Sequence, residues 1–268
     1  MVVMRRWLLV LELVSSLTLV GCTPDVFETV DAALGDATPS DSGAVDAGCD
    51  GALPFCAADA GTFCADFDES PIPSAGWTAG DYISGYFNEI ALDTYISCPH
   101  SVRMVVPEPD AATGQDGGVN AGHAWLLKDV PVTSTYPIVT VNVAARVFGG
   151  ETNGMYFNLF EVRGGIGQSV PYVAISYSNT GWQLHTYNTD TPIASMPVNG
   201  WAMFSLVVTF STTISATLTI NSETPIIGAS TGTASAIGGT VELALGISST
   251  LYAPPGNYEY DNVLVEVQ

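Results

Sequence analysis

Between Tyr136 and Phe148 the chain sets Val139, Val141, Val143, Ala145 and Val147 at every second position, with Thr140, Asn142 and Arg146 between them. Side chains along a strand point alternately to opposite faces, so this run predicts a strand with one face in a core. The same pattern recurs from Thr62 onward. Strands are expected over Thr62–Asp68, Ser101–Val106, His123–Val130 and Met155–Val162. A hairpin is expected from Val173–Ser178 and Trp182–Tyr187 about Asn179-Thr180-Gly181, and another from Trp201–Ser211 and Ile214–Ile220. Val241–Ser248 and Tyr258–Val267 close the chain, and Gly114-Gln-Asp-Gly-Gly118 reads as a rim loop. No stretch here has a convincing amphipathic helical period. The expectation is an all-β fold, a two-sheet antiparallel sandwich of jelly-roll type.

The N-terminus follows different rules. Arg5 and Arg6 precede an apolar run from Trp7 to Leu19, interrupted by Glu12 and too short to span a bilayer, which takes ~20 residues. Leu19-Val20-Gly21-Cys22 then resembles the lipobox of bacterial lipoproteins, in which the cysteine is lipid-modified and begins the mature chain. Each buried acyl methylene contributes ~0.8 kcal/mol, so several chains on Cys22 would anchor stably where one would not. Thr23, rather than Asp, follows the cysteine; under the enterobacterial sorting rule this favours the outer membrane. From Thr23 to Gly61 there is no basic residue, and Asp31, Asp36, Asp41 and Asp46 are spaced among small residues. Such a segment cannot bury enough apolar surface to offset its ordering entropy, so a disordered, self-repelling stalk is expected. The division is therefore 1–21 signal peptide, 22–61 lipidated N-terminus and acidic linker, and 62–268 β-sandwich domain.

A formal charge of −21 disfavours nucleic acid and anionic lipid surfaces as partners. Sugars, divalent cations and basic protein patches remain, with membrane contact through the N-terminal lipid only. With Cys22 assigned to lipid, Cys49, Cys56, Cys64 and Cys98 form an even set in an oxidising compartment. Four cysteines allow three connectivities. Cys49–Cys56 with Cys64–Cys98 is favoured, because the first closes a local loop and the second ties the opening strand to a later one.

Three segments carry a family resemblance. Phe63-Cys-Ala-Asp-Phe-Asp68 followed by Gly76-Trp77 resembles the start of concanavalin A-like (LamG-like) jelly-roll domains. Trp201 with Leu206-Val-Val-Thr-Phe210 and Ile214–Asn221, and the final Tyr260-Asp-Asn-Val-Leu-Val265, resemble their later strands. The likeness spans Thr62–Gln268 and is nearest to lipoproteins of myxobacterial type with an acidic linker. Asn221-Ser222 stands where an Asp-Gly turn is common. The resemblance implies a glycan-binding domain, a glycosidase or a lyase; fold alone assigns none of them.

The residues favour recognition over catalysis. A laminarinase-type glycosidase needs three carboxylates on one strand face, and the nearest approach, Asn88–Asp93, has Glu89 and Asp93 flanking Ala91. For a lyase, His185 with Tyr187 and His100 with Arg103 are loose candidates, and no Gly-x-Ser-x-Gly elbow is present. Asp66, Asp68 and Asp261, on the first and last strands, would suit calcium. Trp182, Tyr187, His185, Tyr177 and Trp125 are the candidate sugar contacts, while Trp77 and Trp201 read as core. The expected role is a non-catalytic, membrane-anchored domain recognising carbohydrate or a surface protein. A polysaccharide-acting glycosidase or lyase and a purely structural or adhesive envelope protein are the alternatives.

Overall fold

The computed structural model describes residues 55–58, 62–68, 72–83, 86–97, 100–106, 122–147, 156–166, 170–197, 199–230, 237, 239–252 and 255–268, all within one unit, Val45–Gln268. The signal segment, Cys22, the acidic stalk as far as residue 54, Cys49, Cys98 and the glycine-rich segment 114–118 lie outside the described residues. One helical turn, α1 (Phe55–Ala58), precedes β1 (Phe63–Ala65), β2 (Ala79–Ile83), β3 (Phe87–Ala91), β4 (Ser101–Val106) and β5 (Gly122–Pro131). Then come β6 (Ile138–Arg146), β7 (Tyr156–Arg163), β8 (Tyr172–Ser178), β9 (Gly181–Thr186) and β10 (Thr189–Pro192). The chain ends with β11 (Trp201–Thr209), β12 (Ser215–Ile220), β13 (Ile226–Ala229), β14 (Thr240–Tyr252) and β15 (Gly256–Val267).

These strands form two sheets. The larger runs β13-β12-β11-β6-β15-β4-β3, with β1 added against β15, and the smaller runs β10-β9-β8-β7-β14-β5-β2. Among the described residues the strands pair antiparallel, as in β11 with β12, β7 with β8 and β14 with β5. The fold is the expected jelly-roll sandwich.

Alternation decides which faces meet. Val139, Val141, Val143 and Ala145 of β6 are fully buried between the sheets, joined by Phe204, Leu206 and Val208 of β11 and Leu243, Leu245 and Ile247 of β14. Trp77 packs edge-on to Phe63 at 5.0 Å, in the core as expected; Trp201, at the start of β11, is half-buried. Asn221 and Ser222 join β12 to β13 with φ of 48° and 61°. Two successive positive φ values mark a type I′ turn, whose twist suits a hairpin, so Asn-Ser meets the requirement that Asp-Gly usually meets.

The cysteine pairing differs from the favoured one. Cys56 is bonded to Cys64, with Cα atoms 5.6 Å apart. The cause is local: α1 brings the Cys56 N–H to Asp66 Oδ2 at 3.1 Å, which lays the helical turn against the end of β1. This excludes both Cys49–Cys56 and Cys64–Cys98.

Candidate functional site

The smaller sheet turns one face to the core, and on its other face lies a cleft of about 210 Å³ lined by β5, β7, β8 and β14. Strict alternation along β7 would set Tyr156, Asn158, Phe160 and Val162 together. Instead the register slips: Asn158 faces Ser176 of β8 while Phe160 faces the adjacent Ile175. Leu159 is the extra residue of this β-bulge, and it is buried in the core together with Phe160. Tyr260, from the opposite sheet, donates its hydroxyl to the Leu159 carbonyl at 2.7 Å. The slip changes parity, so Tyr156, Asn158, Glu161 and Arg163 all line the cleft.

β14 forms the floor. Its cleft-side residues opposite Glu161, Trp125 and His123 are Ala244, Gly246 and Ser248, small enough to leave a trough between β5 and β7. Gly246 is required there. Its φ is +132°, and a Cβ would stand 2.1 Å from the Ala124 carbonyl oxygen.

The polar groups form one network. Glu161 Oε1 accepts from Asn158 Nδ2 at 2.7 Å and Ser248 Oγ at 3.1 Å, and Oε2 accepts from Arg163 Nε at 2.8 Å. Arg163 also donates to Glu242 Oε1 at 2.6 Å. Burial alone would lower the Arg163 guanidinium, but Glu161 and Glu242 outweigh it and hold the group charged. Its Cζ lies 4.4 Å from the centroid of the Trp125 ring, and His123 stacks on the same indole at 4.2 Å. Both groups pack on the Trp125 indole, and its Nε1 is buried in the cleft wall. Along the opposite wall the Tyr172 phenol hydrogen-bonds Tyr156 and Asn158, and burial raises both tyrosines above the ordinary phenol range. His185 stacks on Tyr172 at 4.9 Å, and its Nδ1 is 2.7 Å from Asp190 Oδ1. Two atoms of lining side chains, Trp125 Nε1 and Asn158 Oδ1, have no hydrogen-bond partner among the described residues. Buried polar atoms are almost always paired, so these two mark the polar wall of the cleft.

The sequence candidates divide. Trp125 lines the cleft and His185 packs against its wall. Trp182 and Tyr177 pack from the other face of the sheet, in an aromatic cluster with Phe157. Tyr187 sits in the β9–β10 turn at φ +57°, beyond the strand that carries His185. Asp66, Asp68 and Asp261 do not form a shared ligand set, and no group of three His, Cys, Asp or Glu suited to a metal occurs among the described residues. Asp68 accepts the His100 N–H, and Asp261 accepts the N–H groups of Ile96 and Ser97. Glu89 and Asp93 each pair with Arg103 on the larger sheet, away from the cleft. His123, Tyr156, Asn158, Glu161, Arg163 and Tyr172 were not singled out in the sequence. The available signal was the Asn, Glu and Arg within an otherwise apolar strand, Tyr156–Arg163.

No protein-family model matches the chain, and no curated protein matches it. Solved structures do. A cellulose-induced protein aligns at 14% identity with a TM-score of 0.53, over 76% of this chain and 96% of that one. An endo-β-1,4-glucuronan lyase from the fungus Trichoderma reesei aligns at 11% identity and a TM-score of 0.49, over 76% and 94%. Peanut lectin aligns at 10% and 0.46, over 77% and 97%. At such identities the likeness is one of fold alone, a two-sheet antiparallel β-sandwich.

Proposed function

We propose that this chain is a non-catalytic carbohydrate-recognition protein whose binding site is the cleft on the smaller sheet. The observation that carries the reading is the unpaired donor and acceptor, Trp125 Nε1 and Asn158 Oδ1, in a cleft also lined by the phenols of Tyr156 and Tyr172. Donors and acceptors gathered in one cleft suit a ligand rich in hydroxyls. At about 210 Å³ the cleft is smaller than the ~300–1,000 Å³ typical of drug-sized ligands, so it suits one sugar residue or a chain end.

The same groups argue against catalysis. A lyase base would need a phenol poised near neutrality, and burial moves Tyr156 and Tyr172 the other way. A retaining glycosidase would need two available carboxyls ~5–5.5 Å apart, whereas Glu161 and Glu242 are both bound to one guanidinium. The lipid anchor at Cys22, the acidic stalk and placement in the outer membrane rest on the sequence, and complete the proposal: a sugar-binding domain held off the envelope surface.

The test is a glycan array probed with the mature chain and with Trp125→Phe, which keeps a ring and removes the indole N–H. Reproducible hits that weaken about 3–10-fold in the variant support the reading, since one hydrogen bond contributes ~0.5–1.5 kcal/mol. Repeating the array with a chelator tests whether recognition depends on calcium. A blank array with folded protein moves the assignment to a structural or protein-binding role, and release of new reducing ends or unsaturated sugars moves it to an enzyme.

A further inference from the structure

Resting on that reading, we infer that the cleft selects uncharged sugars and rejects sugars that carry a carboxylate. Recognition of a uronate calls for a cation whose charge is not already matched, since a carboxylate leaving water must be repaid by a pair. Among the described residues Arg163 is the only Lys or Arg lining the cleft, and it faces two carboxylates. Glu161 and Glu242 are each about 5% exposed, so neither water nor salt screens them well. Arg163, Glu161 and Glu242 together sum to a negative charge.

The other described cations are committed elsewhere. Arg103 and Arg146 pair with Glu259 on the larger sheet. Lys128 donates to the Gly76 carbonyl at 2.7 Å and lies over the Phe63 ring. The whole chain, at −21, repels an anionic polymer before it arrives. A neutral sugar meets none of this opposition, and its hydroxyls match the Trp125 donor and the Asn158 acceptor.

The experiment uses matched ligands that differ only in charge: oligosaccharides of β-glucan, mannan and galactan, each beside its C6-oxidised counterpart, titrated against the mature chain at low and high salt. For whichever backbone binds, the oxidised partner is expected to bind at least about tenfold more weakly at low salt, with the gap narrowing as salt is added. Glu242→Gln, which keeps the shape and removes one carboxylate, is expected to raise the ratio of oxidised to neutral affinity several-fold, with folding checked by thermal melting. Equal or tighter binding of the oxidised partner, or an unmoved ratio in folded Glu242→Gln, overturns the selectivity and leaves sugar recognition standing. Binding to neither member of any pair overturns sugar recognition itself, and the selectivity with it.

Discussion

Each sheet carries an arginine–glutamate cluster, and the two are built for different ends. On the larger sheet Glu259 of β15 lies between Arg103 of β4 and Arg146 of β6, its partners in the strand register. Arg103 extends outward to Glu89 and Asp93, and Thr94 donates to Glu259 Oε1 at 2.6 Å. Two residues on, Asp261 accepts the Ile96 and Ser97 N–H groups at 2.9 and 2.8 Å. This cluster binds the segment after β3 to the centre of the sheet, and its outer carboxylates are exposed: Glu89 by 46% and Asp93 by 71%. On the smaller sheet the charges are almost dry, the floor strand has small residues, and polar atoms of Trp125 and Asn158 are left over. An ion-pair cluster whose every partner is protein fastens the fold. One that borders a trough with unmatched polar atoms is the candidate for meeting a ligand.

The sharpest way to break this comparison is to remove one arginine from each cluster. Arg163→Ala leaves Glu161 and Glu242 buried without their cation, a situation that costs about 3–5 kcal/mol. Arg103→Ala leaves Glu259 with Arg146 and returns Glu89 and Asp93 to water, for about 1–3 kcal/mol. Urea unfolding of both variants gives the order. A larger loss from Arg103→Ala would make the outer cluster the drier one and undo the contrast.

Asp261 sharpens the larger-sheet side. Burial pushes its carboxyl up to about 7, with the donated hydrogen bonds of Ser97, Ile96 and Asn262 pulling the other way. In the unfolded chain the group titrates near ~3.9. The folded state therefore holds the proton over a range in which the unfolded state has lost it. This contribution to stability is complete below the unfolded value and falls as pH rises from about 4 to about 7, by on the order of 4 kcal/mol. Melting temperature across that range is expected to carry a downward component that Asp261→Asn removes, whatever constant offset the substitution adds. An identical slope in the variant would assign the dependence to another group.

Legibility in the sequence followed the same divide. β6 could be read because its alternation is unbroken, and the β12–β13 turn because Asn-Ser tolerates left-handed backbone. Trp182 and His185 were grouped as sugar contacts, yet three residues apart on one strand they face opposite ways. Trp182 shares its face with Leu184 and goes to the core; His185 shares its face with Gln183 and goes to the cleft wall. That much the pattern contained. The bulge at Leu159 it did not. No glycine or proline marks the position, and the change of parity depends on a register set by β8 and β14 and on a hydroxyl from Tyr260, 101 residues away. The candidate site was hidden because its strand changes phase in the middle. The Cys56–Cys64 pairing was hidden for a similar reason, since the carboxylate that places α1 belongs to the chain beyond β1.

The smallest expected effect is spectroscopic, and it bears most directly on what the cleft can do. Tyr172 is held neutral first by burial, then by the nearby Tyr156 and Glu161, and Tyr156 is raised chiefly by burial as well. An ultraviolet titration of the folded chain should therefore show a late tyrosinate fraction, and Tyr172→Phe should remove part of it. The sign for stability follows: above the ordinary phenol value the unfolded chain releases protons that these phenols retain, so folding weakens as pH rises past about 10. Phenols of this kind give and accept hydrogen bonds at neutral pH and do not abstract protons. An early-titrating tyrosine that Tyr172→Phe abolished would reverse that reasoning and supply the cleft with a base.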